Sequence, residues 1–342
     1  MKGYHYVGFD VHKKTIAYCV KTVEGKILDE GVIPANRRGL SSLTQRLPRP
    51  WSGAMEATLF TGWIYDFLLP HAQELKVGHS YQLRAICASK KKNDRVDARK
   101  LSDALRCDLL PECYMAPAKV RELRQVLRYR NLLVRESVRF QNKTAGLLME
   151  AGAEYNKGRL TGDRYFHELL AGLAEVPVSV KDLLGMAHES VKWFNSLQRR
   201  LVAGLREHPL LQDRVERLMS IPGVGEITAL TWALEIGEPH RFGAVKRAVS
   251  YCGLCSGQNE SAGKSRRGPL SKQRNKHLQT ILVEAAKVGV RWNPQLAAVY
   301  EQARFRGSNR NEATLAVARK LVAYLLYVDK SGKLFVLNSD RA

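Results

Sequence analysis

Short apolar runs broken by turn residues fill the first eighty positions. Tyr4–Phe9, Thr15–Val23 and Lys26–Ile33 read as three strands, with Glu24-Gly25 as the hairpin turn between the second and third. A helix follows around Leu40–Leu47, a strand ends near Glu56, a helix covers about Thr61–Leu69, and another strand lies near Leu75–His79. A helix from Asp94 to about Leu109 closes this stretch, and strands first, then strands alternating with helices, predict an α/β layered domain. From Ala118 the period changes. Val120, Leu123, Leu127, Val134, Gln141 and Leu148 form one stripe of a long, Arg-rich helix, and Leu184, Val191, Phe194, Leu201 and Leu205 stand at near-heptad spacing in a helix over about Lys181–Leu205. Such helices serve as a spacer or a coiled-coil dimer seam, or as a helical subdomain packed within one chain; both readings stay open. Between them, residues 151–180 carry turn signals (Asn156, Gly158, Gly162, Pro177), and from Ser220 a mostly helical region begins. Three domains are expected, over 1–117, 118–213 and 214–335.

A chain of 342 residues accommodates that division, and 45% hydrophobic residues are enough to bury real cores. Lys and Arg number 55 against 33 Asp and Glu, a net charge of +22. Bases spread along the chain in this excess are the electrostatic footprint of a protein that meets a polyanion, DNA or RNA. A membrane surface is the competing polyanion, but no long amphipathic stretch supports it, and no run of about 18 apolar residues predicts a span. Six scattered cysteines and no leader-like N-terminus point to a reducing cytoplasm. Cys252-Gly-Leu-Cys255 has the spacing of half a zinc site, or of two buried thiols at a helix end.

Against this basic background four acids stand out. Asp10 ends the apolar run Tyr6–Phe9, where side chains at the C-terminal end of a central strand meet ligands in α/β folds. Glu56 ends another strand. Asp94, Asp97, Leu101, Ala104 and Leu105 are spaced 0, 3, 7, 10 and 11, so both acids are expected to continue the apolar stripe and face the sheet. Buried carboxylates cost roughly several kcal/mol unless a cation compensates. Oxygen ligands of this kind select Mg²⁺ or Mn²⁺, and paired ions about 3.5–4 Å apart stabilise both attacking and leaving oxygens at phosphorus. The plainer account is helix capping and dipole compensation by acids in a first turn.

In the C-terminal region, Ile221-Pro-Gly-Val-Gly225 resembles a helix-hairpin-helix turn, in which Gly223 and Gly225 let backbone N–H groups approach a phosphate; a plain helix–helix turn reads equally well. Residues 261–277 hold six bases and no acid: Lys264, Arg266, Arg267, Lys272, Arg274 and Lys276. These, with the run Lys90-Lys91-Lys92 before Asp94, are the candidate phosphate contacts, and such contacts make binding steeply salt-dependent.

Val7-Gly8-Phe9-Asp10-Val11-His12-Lys13, Met55-Glu56-Ala57-Thr58 and Asn93-Asp94-Arg95-Val96-Asp97-Ala98 together resemble the three signature blocks of the DEDD insertion-sequence transposases. The resemblance implies a RuvC-like, RNase H-fold N-terminal domain whose Asp10, Glu56, Asp94 and Asp97 bind Mg²⁺. It also implies a coiled-coil middle and a largely helical C-terminal transposase domain. Asn93 departs from the Thr usual in the family. Farther on, Gly253-Leu254, Glu260-Ser261-Ala262-Gly263 and Leu270-Ser271-Lys272 resemble the C-terminal blocks, and Ser261 aligns with the nucleophilic serine. Ala262 replaces the usual Gly, which leaves Ser265 and Ser271 as alternatives. A serine hydroxyl needs activation, and no His–Asp partner stands near Ser261 in sequence, which disfavours an ordinary triad hydrolase. The family further implies double-stranded DNA as substrate, a structured noncoding guide RNA, and a homodimer that becomes a tetramer at synapsis. The runner-up functions are a RuvC-like junction nuclease, in which water attacks, and a non-catalytic nucleic-acid-binding derivative.

Overall fold

The computed structural model describes residues 3–86, 93–261 and 263–337, and the chain divides into two compact units, up to and after Ala118. The first unit begins with a meander of β1 (His5–Val11), β2 (Thr15–Lys21) and β3 (Ile27–Pro34). Next come α1 (Arg37–Arg46), β4 (Trp51–Glu56), α2 (Thr61–Leu68), β5 (Glu74–Gly78), α3 (Ser80–Ile86) and α4 (Asp94–Arg106). The sheet order is β3-β2-β1-β4-β5, with β1 antiparallel to β2 and parallel to β4. This mixed sheet, followed by a largely helical chain, is consistent with the RuvC-like arrangement.

The two faces of the sheet differ in side-chain size. Val7 and Phe9 of β1, with Ile16 and Val20 of β2 and Met55 of β4, face Leu40 and Leu43 of α1 and Ile64 and Leu68 of α2, all wholly buried. Each such side chain contributes roughly 1.5–3 kcal/mol of burial. The intervening positions on the other face are small: Gly8, Ala17 and Cys19, with Ala54 paired to Gly8 across β4. There α4 lies so close that a Cβ at Gly8 would run into the Ala98 carbonyl. Ser102 Oγ donates to the Tyr6 carbonyl at 3.0 Å, Arg99 forks onto Glu30 at 2.6 Å through both nitrogens, and Lys21 pairs with Asp103. Helix α4 is thereby tied across the strands that carry Asp10.

The second unit contains α5 (Ala118–Glu150) from Lys119 onward, α6 (Asp163–Gly172), α7 (Val178–Arg206), α8 (Gln212–Met219), α9 (Glu226–Ile236) and α10 (Val245–Tyr251). An antiparallel hairpin of β6 (Ser256–Ser261) and β7 (Lys264–Leu270) follows, then α11 (Lys276–Trp292), α12 (Pro294–Phe305) and α13 (Arg310–Ser331). Helix α9 is the core of this unit, buried from Thr228 to Ile236. Its Trp232 Nε1 donates to Asp329 of α13 at 2.9 Å, and Arg214 of α8 forks onto the same carboxylate at 2.7 Å. Glu235, 1% exposed, accepts a fork from Arg128 of α5 at 2.8 Å and a hydrogen bond from Asn275 at 2.8 Å.

Two sequence expectations change, and one of the two readings left open for the long helices gains contacts. The buried line of α5 runs through Leu123, Leu127, Leu133, Ser137, Thr144 and Leu148, so Leu133 takes the place expected of Val134 and Gln141 is only half-buried. Helices α5 and α7 pack within the chain, through Ser137 Oγ on Asn195 at 3.1 Å, the Phe140–Phe194 ring pair and a cluster of Ala145, Leu148, Phe166 and Leu184. The C-terminal region, expected to be mostly helical, also holds a two-stranded ribbon. No helix among the described residues is long and apolar enough to cross a membrane.

Candidate metal site and nucleic-acid interface

Asp10 lies next to last in β1, the central strand, on the face that Gly8 opens to α4. Helix α4 starts where it does because Asn93, in extended backbone, accepts from Arg95 N–H at 3.0 Å; Asn and Thr both cap helices, so the departure at this position keeps the start of the helix. Asp94 therefore opens the helix beside the end of β1. His12 stands between the two acids: its Nε2 is 3.2 Å from Asp10 Oδ2 and 3.5 Å from Asp94 Oδ1. Ligand atoms of Asp10, His12 and Asp94 all lie within 4.8 Å of one another.

Asp97, half-buried one turn on, sits 3.7 Å from Lys100 and adds its charge to the field at Asp10. Glu56 follows Met55, the parallel partner of Phe9, which puts it next to Asp10 at the strand ends. Among the described residues, neither Asp97 nor Glu56 joins the 4.8 Å group. The acids were expected to face the sheet together, but the Asp94 side chain is 56% exposed, because the first residue of α4 reaches past the sheet edge.

Burial pushes the Asp10 carboxyl above the ordinary carboxylate range; the charge and hydrogen bond of His12 oppose this, and the charges of Asp94 and Asp97 reinforce it. A buried acid repelled by two neighbours is stabilised in its ionised form by a cation. The donor set, carboxylate oxygens with one imidazole nitrogen, fits a divalent ion. His12 was passed over in the sequence, although it follows Asp10 by two residues and alternation along a strand puts such residues on one face.

Ser261 ends β6 and pairs with Lys264, so it stands exposed at the hairpin tip, where Gly263 turns with φ +76. Arg266, Lys272, Arg274 and Lys276 are exposed along the ribbon and the turn into α11. The Arg274 stem lies against Gly253 and its guanidinium donates to the Ser271 carbonyl at 3.0 Å, so it also braces the loop. The side chains of Lys264, Ser265 and Arg267, and the run Lys90-Lys91-Lys92, lie outside the described residues. In the Ile221–Gly225 turn, Gly223 has φ +94 and its α-carbon abuts Gly289 of α11, which leaves no room for a Cβ. Gly225 is exposed and precedes Glu226, which pairs with Arg206 at 3.2 Å. Among the described residues, Cys252 and Cys255 gather no third metal-ligand atom, and burial pushes the Cys252 thiol up to about 12.

Residues 7–152 match the DEDD transposase family of IS110, and residues 215–301 match the transposase IS116/IS110/IS902 family. Together these matches support a DEDD-type insertion-sequence transposase. Both matches fall where the acids and the serine lie. A probable family 20 transposase of Pseudomonas aeruginosa is 27% identical over 228 residues, 64% of this chain and 68% of the relative. The transposase for insertion sequence element IS1111A of Coxiella burnetii is 26% identical over 237 residues, 67% of this chain and 64% of its own length. The transposase for IS1328 of Yersinia enterocolitica is 25% identical over 255 residues, 71% and 73% of the two chains. A DNA transposase family that relies on a cluster of acids accords with divalent-metal use and DNA binding.

Proposed function

We propose that this transposase cleaves and exchanges DNA strands through a covalent link to Ser261, with Asp10, Glu56, Asp94 and Asp97 holding Mg²⁺ or Mn²⁺ at the scissile phosphate. The convergence of Asp10 and Asp94 on the end of β1, in a chain of net charge +22, carries the reading. When bound, the divalent ion neutralises charge at phosphorus and polarises its oxygens. Asp10 supplies the buried anchor, His12 orients Asp10 and Asp94, and Gly8 lets α4 bring Asp94 close. Ser261 Oγ attacks phosphorus and loses its proton to solvent; the Oγ–P bond forms as the P–O3′ bond breaks, and the 3′-oxygen takes a proton from solvent and leaves as a hydroxyl. Arg266 and the neighbouring bases offset the charge that develops on the phosphoryl oxygens. A 3′-hydroxyl from the partner strand then displaces Ser261 and reseals the backbone.

In this reading residues 1–117 form the metal-binding domain, 118–213 the dimerisation region and 214–335 the domain that delivers the serine. A structured noncoding RNA guides the choice of DNA, and a homodimer pairs into a tetramer for synapsis. Support comes from the family matches, from a serine presented on a basic ribbon tip, and from the long helices α5 and α7. The test is a denaturing gel of the protein incubated with labelled duplex and Mn²⁺. A protein–DNA adduct that disappears in Ser261→Ala supports the proposal, and undiminished cleavage by that variant sinks it in favour of attack by water.

A further inference from the structure

Phe305 closes α12 with 93% of its surface exposed, in a unit that buries Trp232 and Phe242. Arg304 and Arg306 flank it and Arg310 opens α13; residues 302–311 hold these three arginines and no acid. The turn that presents the ring is braced. Gly307 takes φ +88 and donates to the Arg304 carbonyl at 3.0 Å, and Ser308 N–H donates to Ala303 at 3.1 Å. Arg304 Nη1 donates to the Ser308 carbonyl at 2.7 Å. Asn309 and Glu312 close a reciprocal capping box at 2.9 and 3.0 Å, which occupies the Glu312 carboxylate. An aromatic ring is thus held out on a braced turn beside the exposed Arg306 and Arg310.

The turn also has a telling neighbour. A groove of about 400 Å³ is lined by Leu270, the last residue of β7, by Thr280 and Lys287 of α11, and by Asn311 and Thr314 of α13. The foot of the basic ribbon and the start of α13, the helix that follows the Phe305 turn, therefore line one groove.

We propose that Phe305 is a base-stacking wedge: it enters a base step of the DNA held by the β6–β7 ribbon, while Arg306 and Arg310 take the flanking phosphates. This rests on the reading that the ribbon engages DNA. Apolar side chains flanked by bases act in this way in proteins that kink or unstack a duplex, and stacking accepts any base because each has a π-face. A second copy of the chain is the weaker occupant, since a two-fold contact would set these arginines against the same arginines of the other copy, and like charges across an interface are costly.

The experiment uses the full-length protein and a duplex of the DNA flanking its gene, with 2-aminopurine substituted position by position. Wild-type binding should raise fluorescence at one or two adjacent positions. Phe305→Ala should abolish the rise and weaken binding about 5- to 100-fold, the range of one lost stacking contact. Phe305→Trp should restore both. Arg306→Ala with Arg310→Ala should flatten the salt dependence by about two phosphate contacts. An unchanged fluorescence rise in Phe305→Ala overturns the wedge even if Ser261 still forms its adduct. The same follows if the variant only lowers oligomer mass without DNA, or if the change appears only with RNA. Failure of the wild-type chain to bind the duplex at all would instead remove the ribbon–DNA reading, and the wedge with it.

Discussion

Gly8 and Ala98 meet with no space for a methyl group: the Cβ that Gly8 lacks would fall on the Ala98 carbonyl oxygen and beside the Ser102 amide. That contact sets the depth at which α4 rides on the sheet, and hence the approach of Asp94 to Asp10. Gly8→Ala should push α4 outward at a cost of about 1–3 kcal/mol, the usual range for overpacking. Chemical denaturation reads the stability loss, and Mn²⁺ titration of the still-folded variant should show weakened binding.

Asp10→Asn keeps the size of the side chain and removes its charge. Metal-dependent cleavage should fall by at least about a hundredfold, in line with the loss of a group stabilising charge in the transition state. Thermal melting without metal should be unchanged or slightly raised, because burial and the neighbouring acids already disfavour the ionised form of Asp10. A variant that cleaves normally would remove Asp10 from the chemistry.

His12 bridges Asp10 and Asp94, so His12→Ala should loosen both. Groups that orient metal-binding carboxylates typically contribute about 10–100-fold in metal affinity. Isothermal titration with Mn²⁺ checks this without any turnover, and an affinity equal to wild type would reduce His12 to a surface ion pair.

Glu235 gives the second unit a defined pH response. Burial works to raise its carboxyl, but the hydrogen bonds from Arg128 and Asn275 and the charges of Arg128 and Arg124 outweigh burial and hold it below the ordinary value of 4.5. Its folded value is therefore depressed, and the stability it supplies is complete above that ordinary value and is lost as pH falls through the folded one. Glu235→Gln should cost about 3 kcal/mol at pH near neutral, as for a broken buried pair. In urea denaturation the gap between variant and wild type should close as the pH drops below the ordinary carboxylate range.

Much of the first unit was legible in the sequence because each element buries one face. The alternation through Val7 and Phe9, and the 3.6-residue recurrence of Ala98, Leu101 and Leu105, come directly from packing against a sheet. Asp10 was readable as the acid that ends the first apolar run, and Asp94 as the acid that opens the helix. The β6–β7 ribbon was not, since its described side chains from Ser256 to Pro269 are exposed and the sequence carries no alternating apolar face to mark a strand. His12 escaped for a related reason: it lies past the last buried residue of β1, where periodicity has ended. Gly223, read as a phosphate contact, also has the packing duty against Gly289, a long-range contact that no local pattern announces.

The carboxylates that meet at the metal site come from β1, the first strand, and from α4, which ends at Arg106. During synthesis, Asp10 leaves the ribosome long before its partner exists. A stalled or truncated product that stops short of α4 carries one acid without the other and cannot assemble the pair. On the function proposed above, the order of elements delays the capacity to cut DNA until α4 has been made and folded, and incomplete copies are inert at this site.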